Sequence, residues 1–530
     1  PERVFYYFEQ ISNIPRGSGN EKAVSDYCLS VAKGLGLAAF KDEFNNIVIK
    51  KPASKGYENS KGVIIQGHLD MVCEKDKKTE HDFKTEGIKL VVDGDWLKAD
   101  GTTLGADNGI AVAIGLALME ADDIEHPPLE CLFTTDEEVG MGGAMNFDAS
   151  VLNGSRLINL DSEEEGVFVA SCCGGAKVHI KIPFSSEDAP HDMVPVSIKI
   201  RGLNGGHSGS DIHLQRANAN KLMGRILRQT AKTFYFRLAS INGGLMDNAI
   251  TRECDAVVYV MKEDIEELMD LCSQLESIFN DEYSSSEDGI HVIADVDGYE
   301  HTKVMDEKSA NNIIYALNMV PYGVIRISPE MNGLVESSNN PGIVKTDENY
   351  FEIVNAVRSS VATVKYDIME KLAMIAEMTE GKLAVRSQYP GWQFKKNSPL
   401  RDICSEAYKE MFGKEPEIQA IHAGLECGLL SAKAPDMDMI SIGPEMYDVH
   451  TPSERISISS VERTWNFIKH ILKKLKCRKA LCFKAFRHFF RNNIYNSCYN
   501  TESLVKYLHF EPGQIIITLR IIILISNRIT

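Results

Sequence analysis

At 530 residues the chain exceeds one ordinary core, which points to two or three domains. Its 44% hydrophobic and 25% charged residues make a typical globular composition. A formal net charge of -18 lacks the basic excess that a phosphate-binding surface needs, so no nucleic-acid partner is expected. The twelve cysteines form no C-x-x-C pair, and the adjacent Cys172 and Cys173 suit neither a zinc ribbon nor a redox motif. PERVFYYFEQISNIPRGS at the start has no apolar signal-peptide stretch. The longest apolar run, residues 515–525, is too short for a membrane span and is broken by Arg520. These features predict a cytoplasmic protein with free thiols and no membrane contact.

In chain order, residues 1–175 alternate helix and strand signals. VSDYCLSVAKGLGL has helical spacing and ends on glycine; GVIIQGHLD is a short apolar run that stops in polar residues. NGIAVAIGLALMEADD reads as a buried helix, and ECLFTTDEEVG and RLINLDSEEEG as apolar strands with acidic ends. Residues 176–388 differ: KVHIKIPF, PVSIKIRGL, DAVVYVMK and HVIADVDG alternate apolar and polar residues, as half-buried strands do. An amphipathic helix, KEDIEELMDLCSQLESIFNDEY, lies between two of them. Residues 389–476 return to the first texture, with helices in SPLRDICSEAYKEMFG and SSVERTWNFIKHILKKLK around the strand MDMISIGPE. An α/β domain interrupted by an inserted α+β domain accounts for this order. Residues 477–530 carry eight Lys or Arg against two acids and lack helical spacing or caps. This atypical basic tail is assigned no function.

Chemistry concentrates where apolar runs end. GVIIQGHLD ends in His68 and Asp70, and the alternation of a strand puts both on one face. Asp70 is placed to orient the imidazole of His68. TTLGADNGIAVA puts Asp107 at a helix mouth behind a glycine turn. TTDEEVG brings Glu137 and Glu138 to the end of a strand, LINLDSEEEG brings Asp161, and MISIGPEMYDVHTPSER brings His450. Open α/β sheets bind ligands outside the carboxyl ends of their strands. Each residue alone has an ordinary reading: Asp107 as a helix cap, His450 as a surface imidazole, Glu163 to Glu165 as solvated loop acids. Two histidines and three carboxylates at one sheet edge suit a pair of divalent ions, with zinc the usual choice and cobalt or manganese as alternatives.

GHLDMVCEK, DGTTLGADNGIAVA, TTDEEVGMGGA, NLDSEEEG, NGGHSGSDIH, YPGWQF, HAGLECG and the His450 segment together resemble the aminoacyl-histidine (Xaa-His, or cytosol non-specific) dipeptidase branch of the zinc exopeptidases. The likeness runs from residue 1 to about 476. It implies a two-domain zinc-exopeptidase fold, with a mixed-sheet, helix-covered catalytic domain and an inserted lid domain that can pair two copies. It implies that Asp107 bridges two metals, that His68 and Asp161 complete one site, and that Glu138 and His450 complete the other. Glu137 would be the general base and Asp70 the partner of His68. In the lid, His207 would stabilise the tetrahedral intermediate, in some relatives from a second subunit. Asn248 matches a lid asparagine, although Thr251 stands where many relatives carry proline. Arg358 would grip the substrate carboxylate, and Glu426 would meet the substrate amine. Tyr389 to Trp392 read as a turn and packing motif. The expected substrates are small unblocked dipeptides, Xaa-His among them. A tripeptidase, a carboxypeptidase, an N-acyl-amino-acid deacylase and a non-catalytic metal-binding relative are the alternatives; the last would need neither Asp70 nor Glu137.

Overall fold

Two β-sheets, each with its own apolar core, organise the protein. A computed structural model describes residues 1–296, 302–331 and 333–477. The chain divides at 476/477, and apart from Cys477 the basic tail lies outside the described residues.

The first sheet has eight strands, in the order Ala38–Lys41, Ile47–Lys51, Leu129–Thr134, Val63–His68, Arg156–Asn159, Asp438–Ser441, Val167–Cys172, Glu417–Ile421. The four central strands, Leu129–Thr134 through Asp438–Ser441, are mutually parallel, so their carboxyl ends share one edge. The antiparallel pairs nearer the rims make the sheet mixed. Helices cover both faces, which explains why these strands read as continuous apolar runs. Alternate residues go to opposite cores. Ile47, Ile49, Val63, Ile65, Phe133, Ile158 and Ile440 pack under the helices Glu2–Ser12, Ala106–Glu120 and Ile458–Lys474. Val48, Ile64, Leu132, Leu157 and Met439 pack on the other side with Trp392, Cys427 and Leu430. The helix Ala106–Glu120 is apolar all round because it is buried all round.

The second sheet has nine strands, all antiparallel, drawn from residues 174–389. Here the helices cover one face, and the strand Gly174–Pro183 alternates between buried and more exposed positions. Val178, Ile180, Ile182, Val196, Ile198 and Ile200 point into a core closed by the helices Ala219–Thr233, Ile265–Glu282, Glu307–Met319 and Ala362–Met378. Lys177 and Lys181, at intervening positions, stay outside that core. The chain passes between the sheets at Cys172–Gly174 and Tyr389–Trp392. There the Cys172 and Trp392 backbones exchange hydrogen bonds of 3.0 and 2.9 Å. A Cβ on Gly174 would stand 2.5 Å from the Gly391 nitrogen, so only glycine permits this crossing. Gly391 and Trp392 of YPGWQF thus pack this crossing. The nine cysteines from Cys28 to Cys427 are free thiols. No helix among those residues is long and apolar enough to cross a membrane.

Candidate metal centre

His68 ends its strand, and Asp161 follows closely on Arg156–Asn159. Glu137 and Glu138 follow Leu129–Thr134, and His450 lies in the loop before Arg455–Ser457. Asp107 enters from the first turn of Ala106–Glu120. The five side chains converge around the carboxylate of Asp107. His68 Nε2 lies 3.1 Å from Asp107 Oδ1 and 3.4 Å from Asp161 Oδ1. His450 Nε2 lies 3.1 Å from Asp107 Oδ2 and 3.1 Å from Glu138 Oε2. Ligand atoms of His68, Asp107 and Glu138 lie within 4.8 Å of one another. Each oxygen of Asp107 thus faces its own imidazole–carboxylate pair.

The surroundings hold this geometry. Asp70, wholly buried, takes the Nδ1 side of His68 at 3.3 Å, which turns Nε2 toward the cluster. The same carboxylate accepts the N–H groups of Glu137 (3.1 Å) and Glu138 (3.2 Å) and the hydroxyl of Ser18 (2.8 Å). Burial opposes its ionisation, yet His68 and these donors outweigh burial and hold it down to about 2. Glu137 and Glu138 do not continue the strand: residues 137–140 form a turn anchored on Asp70. Its anchoring still separates the pair. Glu138 turns to His450, while the Glu137 side chain lines the cavity without a hydrogen bond among the described residues.

Two residues passed over in the sequence build the entrance to the Asp107 helix. The Glu454 carboxylate accepts the N–H groups of Leu104, Gly105, Ala106 and Asp107 at 2.7, 3.0, 2.8 and 3.3 Å. A buried carboxylate there pairs four consecutive N–H groups leading into Asp107 and Asn108, where the backbone departs from helical geometry, and so fixes the segment that presents Asp107. Arg16, also buried, donates to the carbonyls of Leu69, Asp70 and Gly105, which joins the His68 segment to the Asp107 segment. Gly105 is left-handed (φ 69°), and a Cβ on it would lie 2.5 Å from the Arg16 guanidinium. Asn108, joined to Asp107 by a cis peptide bond, accepts from the His68 N–H (3.1 Å) and donates to the Leu160 carbonyl (2.7 Å). It stitches two of the ligand-bearing strands together.

Charge tests whether this donor set fits metal ions. No Lys or Arg pairs with Asp107, Glu138 or Asp161 in the ion pairs of the described residues. Glu138 Oε1 is buried without a partner. Burial pushes Glu137 up to about 9; His68 opposes this, while Asp161, Glu426 and Glu138 add to it. Burial likewise holds Asp161 up at about 6. Asp107 and Glu138 drive His450 up to about 11. Converging carboxylates, an orphaned oxygen and two imidazoles that attract protons describe a site short of positive charge. Two divalent cations fit it.

The remaining candidates lie elsewhere. The cluster opens on a cavity of about 450 Å³ whose lining also includes Glu163, Gln419, Gly424 and Ser441. A second cavity of about 370 Å³ takes over at Val139 and Gly140, directly after Glu137 and Glu138. Arg358 and Asn248 line it, with Met141, Met145 and Tyr389. Arg358 Nε is buried without a hydrogen-bond partner. Thr251 is buried, and its hydroxyl donates to the Gly342 carbonyl at 2.7 Å. His207 lines neither cavity. Its Nδ1 accepts from the N–H groups of Gly209 (3.3 Å) and Ser210 (3.2 Å), which leaves Nε2 to carry the proton. Burial and the nearby Arg358 lower its pKa.

Two expectations need correction. Glu426 is fully buried, held by Gln66 Nε2 and Thr134 Oγ1, each at 2.6 Å, and it lines neither cavity. It starts the helix Glu426–Lys433, and its hydrogen bonds run to the strand residues Gln66 and Thr134. Glu165 is not a merely solvated loop acid: it accepts from Arg463 Nε and Nη2 at 2.7 Å and from Ser460 Oγ at 2.6 Å.

Comparison with known proteins shows the family. Residues 64–474 match the family model described as Peptidase family M20/M25/M40. The chain is 38% identical over 478 residues to the cytosol non-specific dipeptidase of Escherichia coli, covering 90% of this chain and 98% of that one. It superposes on the crystal structure of aminoacylhistidine dipeptidase from Vibrio alginolyticus with a TM-score of 0.86 and 36% identity, over 89% and 96% of the two chains. Aminopeptidase PepT from Bacillus cereus, at 14% identity and a TM-score of 0.52, shares the fold over 89% of this chain and 98% of its own. The chain belongs to peptidase family M20/M25/M40.

Proposed function

We propose that this protein is a metal-dependent dipeptidase that hydrolyses small unblocked dipeptides, Xaa-His among them. The observation that carries the reading is the Asp107 carboxylate, with one imidazole–carboxylate pair before each of its oxygens. Asp107 would stand between two divalent ions, with His68 and Asp161 to hold one and Glu138 and His450 to hold the other. Zinc suits the mixed imidazole and carboxylate donors, with cobalt or manganese as substitutes. Bound there, the ions polarise the peptide carbonyl and acidify the attacking water.

The chain's own residues do the rest. Glu137, beside the cluster and with a side chain that has no hydrogen bond among the described residues, takes the proton of the attacking water and hands it to the leaving amine. Asp70 fixes the His68 ring and, through two backbone N–H groups, the turn that carries Glu137 and Glu138. Arg358 and Asn248 receive the substrate carboxylate in the neighbouring cavity; the unpartnered guanidinium nitrogen supports this. His207, which lines neither cavity of its own chain, serves as an oxyanion donor from a second copy. We therefore propose a homodimer formed through the lid. The catalytic domain comprises residues 1–175 and 389–476, and the lid residues 176–388. The free thiols and the name of the Escherichia coli relative support a cytosolic location.

A panel of free dipeptides, tripeptides and N-acylated amino acids on protein of defined metal content tests the function. Turnover confined to free dipeptides is expected. Preference for tripeptides or acylated substrates would assign a different exopeptidase activity, and full metal content with no hydrolysis would mark a binding protein.

A further inference from the structure

The dipeptidase reading leaves one end of the substrate without a receptor. A free dipeptide carries a carboxylate on one side of the scissile bond and an ammonium on the other. Arg358 answers the first. Glu426, expected to answer the second, is buried, is held by Gln66 and Thr134, and lines neither cavity. Near two divalent ions an ammonium is repelled unless a further anion stands beside it. That anion must be distinct from the metal ligands, whose charge faces the ions, and from Glu137, which handles the proton.

Glu163 meets these conditions. It follows Asp161 by two positions and lines the cluster's own cavity, not the cavity of Arg358. Its side chain is exposed and has no hydrogen bond or ion pair among the described residues. The contrast with Glu165 is informative, since that neighbour is fully engaged by Arg463 and Ser460. A second and independent feature lies in the same lining. Ser441 ends one of the central parallel strands, is wholly buried, and its hydroxyl has no hydrogen-bond partner. An unpaired buried hydroxyl costs stability unless something pairs with it. Val169 and Ile421 complete an apolar wall beside these polar groups.

We propose that Glu163 and Ser441 form the receptor for the substrate's α-ammonium group, with Glu163 as the counter-charge and Ser441 Oγ accepting a second N–H. This assignment rests on the dipeptidase reading. The two charged ends of the substrate are then met in two cavities that adjoin at the Glu137–Gly140 turn. A residue added at the amino end moves the ammonium away from Glu163, which confines cleavage to dipeptides.

The test compares a free dipeptide with its des-amino analogue, in which hydrogen replaces the ammonium, on metal-loaded wild type and Glu163→Gln. The readout is the ratio of kcat/KM for the two substrates, with bound metal measured alongside. A charge-assisted contact predicts that Glu163→Gln lowers this ratio about 10- to 100-fold. Equal loss on both substrates, or a ratio that stays at the wild-type value, would overturn the assignment. Ser441→Ala, which removes no charge, should lower the same ratio about 3- to 10-fold, and it decides the matter if Glu163→Gln fails to retain metal. Should wild type cleave no free dipeptide, the dipeptidase reading fails and takes this assignment with it. If wild type cleaves dipeptides and neither variant moves the ratio, the amine receptor alone fails.

Discussion

The metal cluster and the lid-side cavity are built by opposite rules. Around Asp107 nearly every group is buried and tethered: Asp70 carries four contacts, Glu454 four, and Arg16 three. In the lid, Asn248 is exposed, Arg358 keeps an unpartnered nitrogen, and His207 lines neither cavity. Rigid supports suit chemistry that demands fixed geometry, while loosely held polar groups suit recognition that is completed by the substrate. Changes in the first region should therefore strike turnover and metal content, and changes in the second should strike KM.

The largest effect should come from Glu137→Ala. It should lower kcat about 10²- to 10⁴-fold while bound metal stays at the wild-type level; undiminished kcat would remove the proposed base. Asp70→Asn comes next. It loses the charge that orients His68, and metal affinity should fall about 10- to 100-fold in competition titrations with a chelator. Arg358→Lys should raise KM about tenfold with little change in kcat, because a point charge replaces a planar fork. A fall in kcat with unchanged KM would place Arg358 in the chemistry and break the contrast. Glu454→Gln should have the smallest kinetic effect. Its amide offers one acceptor where the carboxylate offers two, so unfolding should become easier by about 1–3 kcal/mol, read as a lower Tm. An unchanged Tm would show that the four N–H contacts contribute little.

The same contrast decides what the sequence makes legible. Four strands announce their carboxyl ends because apolar runs stop abruptly in His, Asp or Glu. The buried helix of Asp107 is equally plain, and the one-sided alternation of the second sheet separates it from the first. Glu454 and Arg16 leave no such mark. Each works through backbone groups far away in sequence, Glu454 on residues 104–107 and Arg16 on 69, 70 and 105, and no local spacing encodes that. Glu426 misleads for a related reason. Nothing local in HAGLECG shows that the helix Glu426 starts carries it to Gln66 and Thr134, which are far away in sequence. Glu163 to Glu165 look alike in sequence, and only the fold separates the engaged Glu165 from the unpartnered Glu163.

The central claim is that Asp107 joins two metal sites into one. Metal stoichiometry in wild type and Asp107→Ala tests it most directly. Wild type should bind two divalent ions per chain, and Asp107→Ala should lose tight binding of both together. A single tight ion in wild type, or two retained in the variant, would contradict the account.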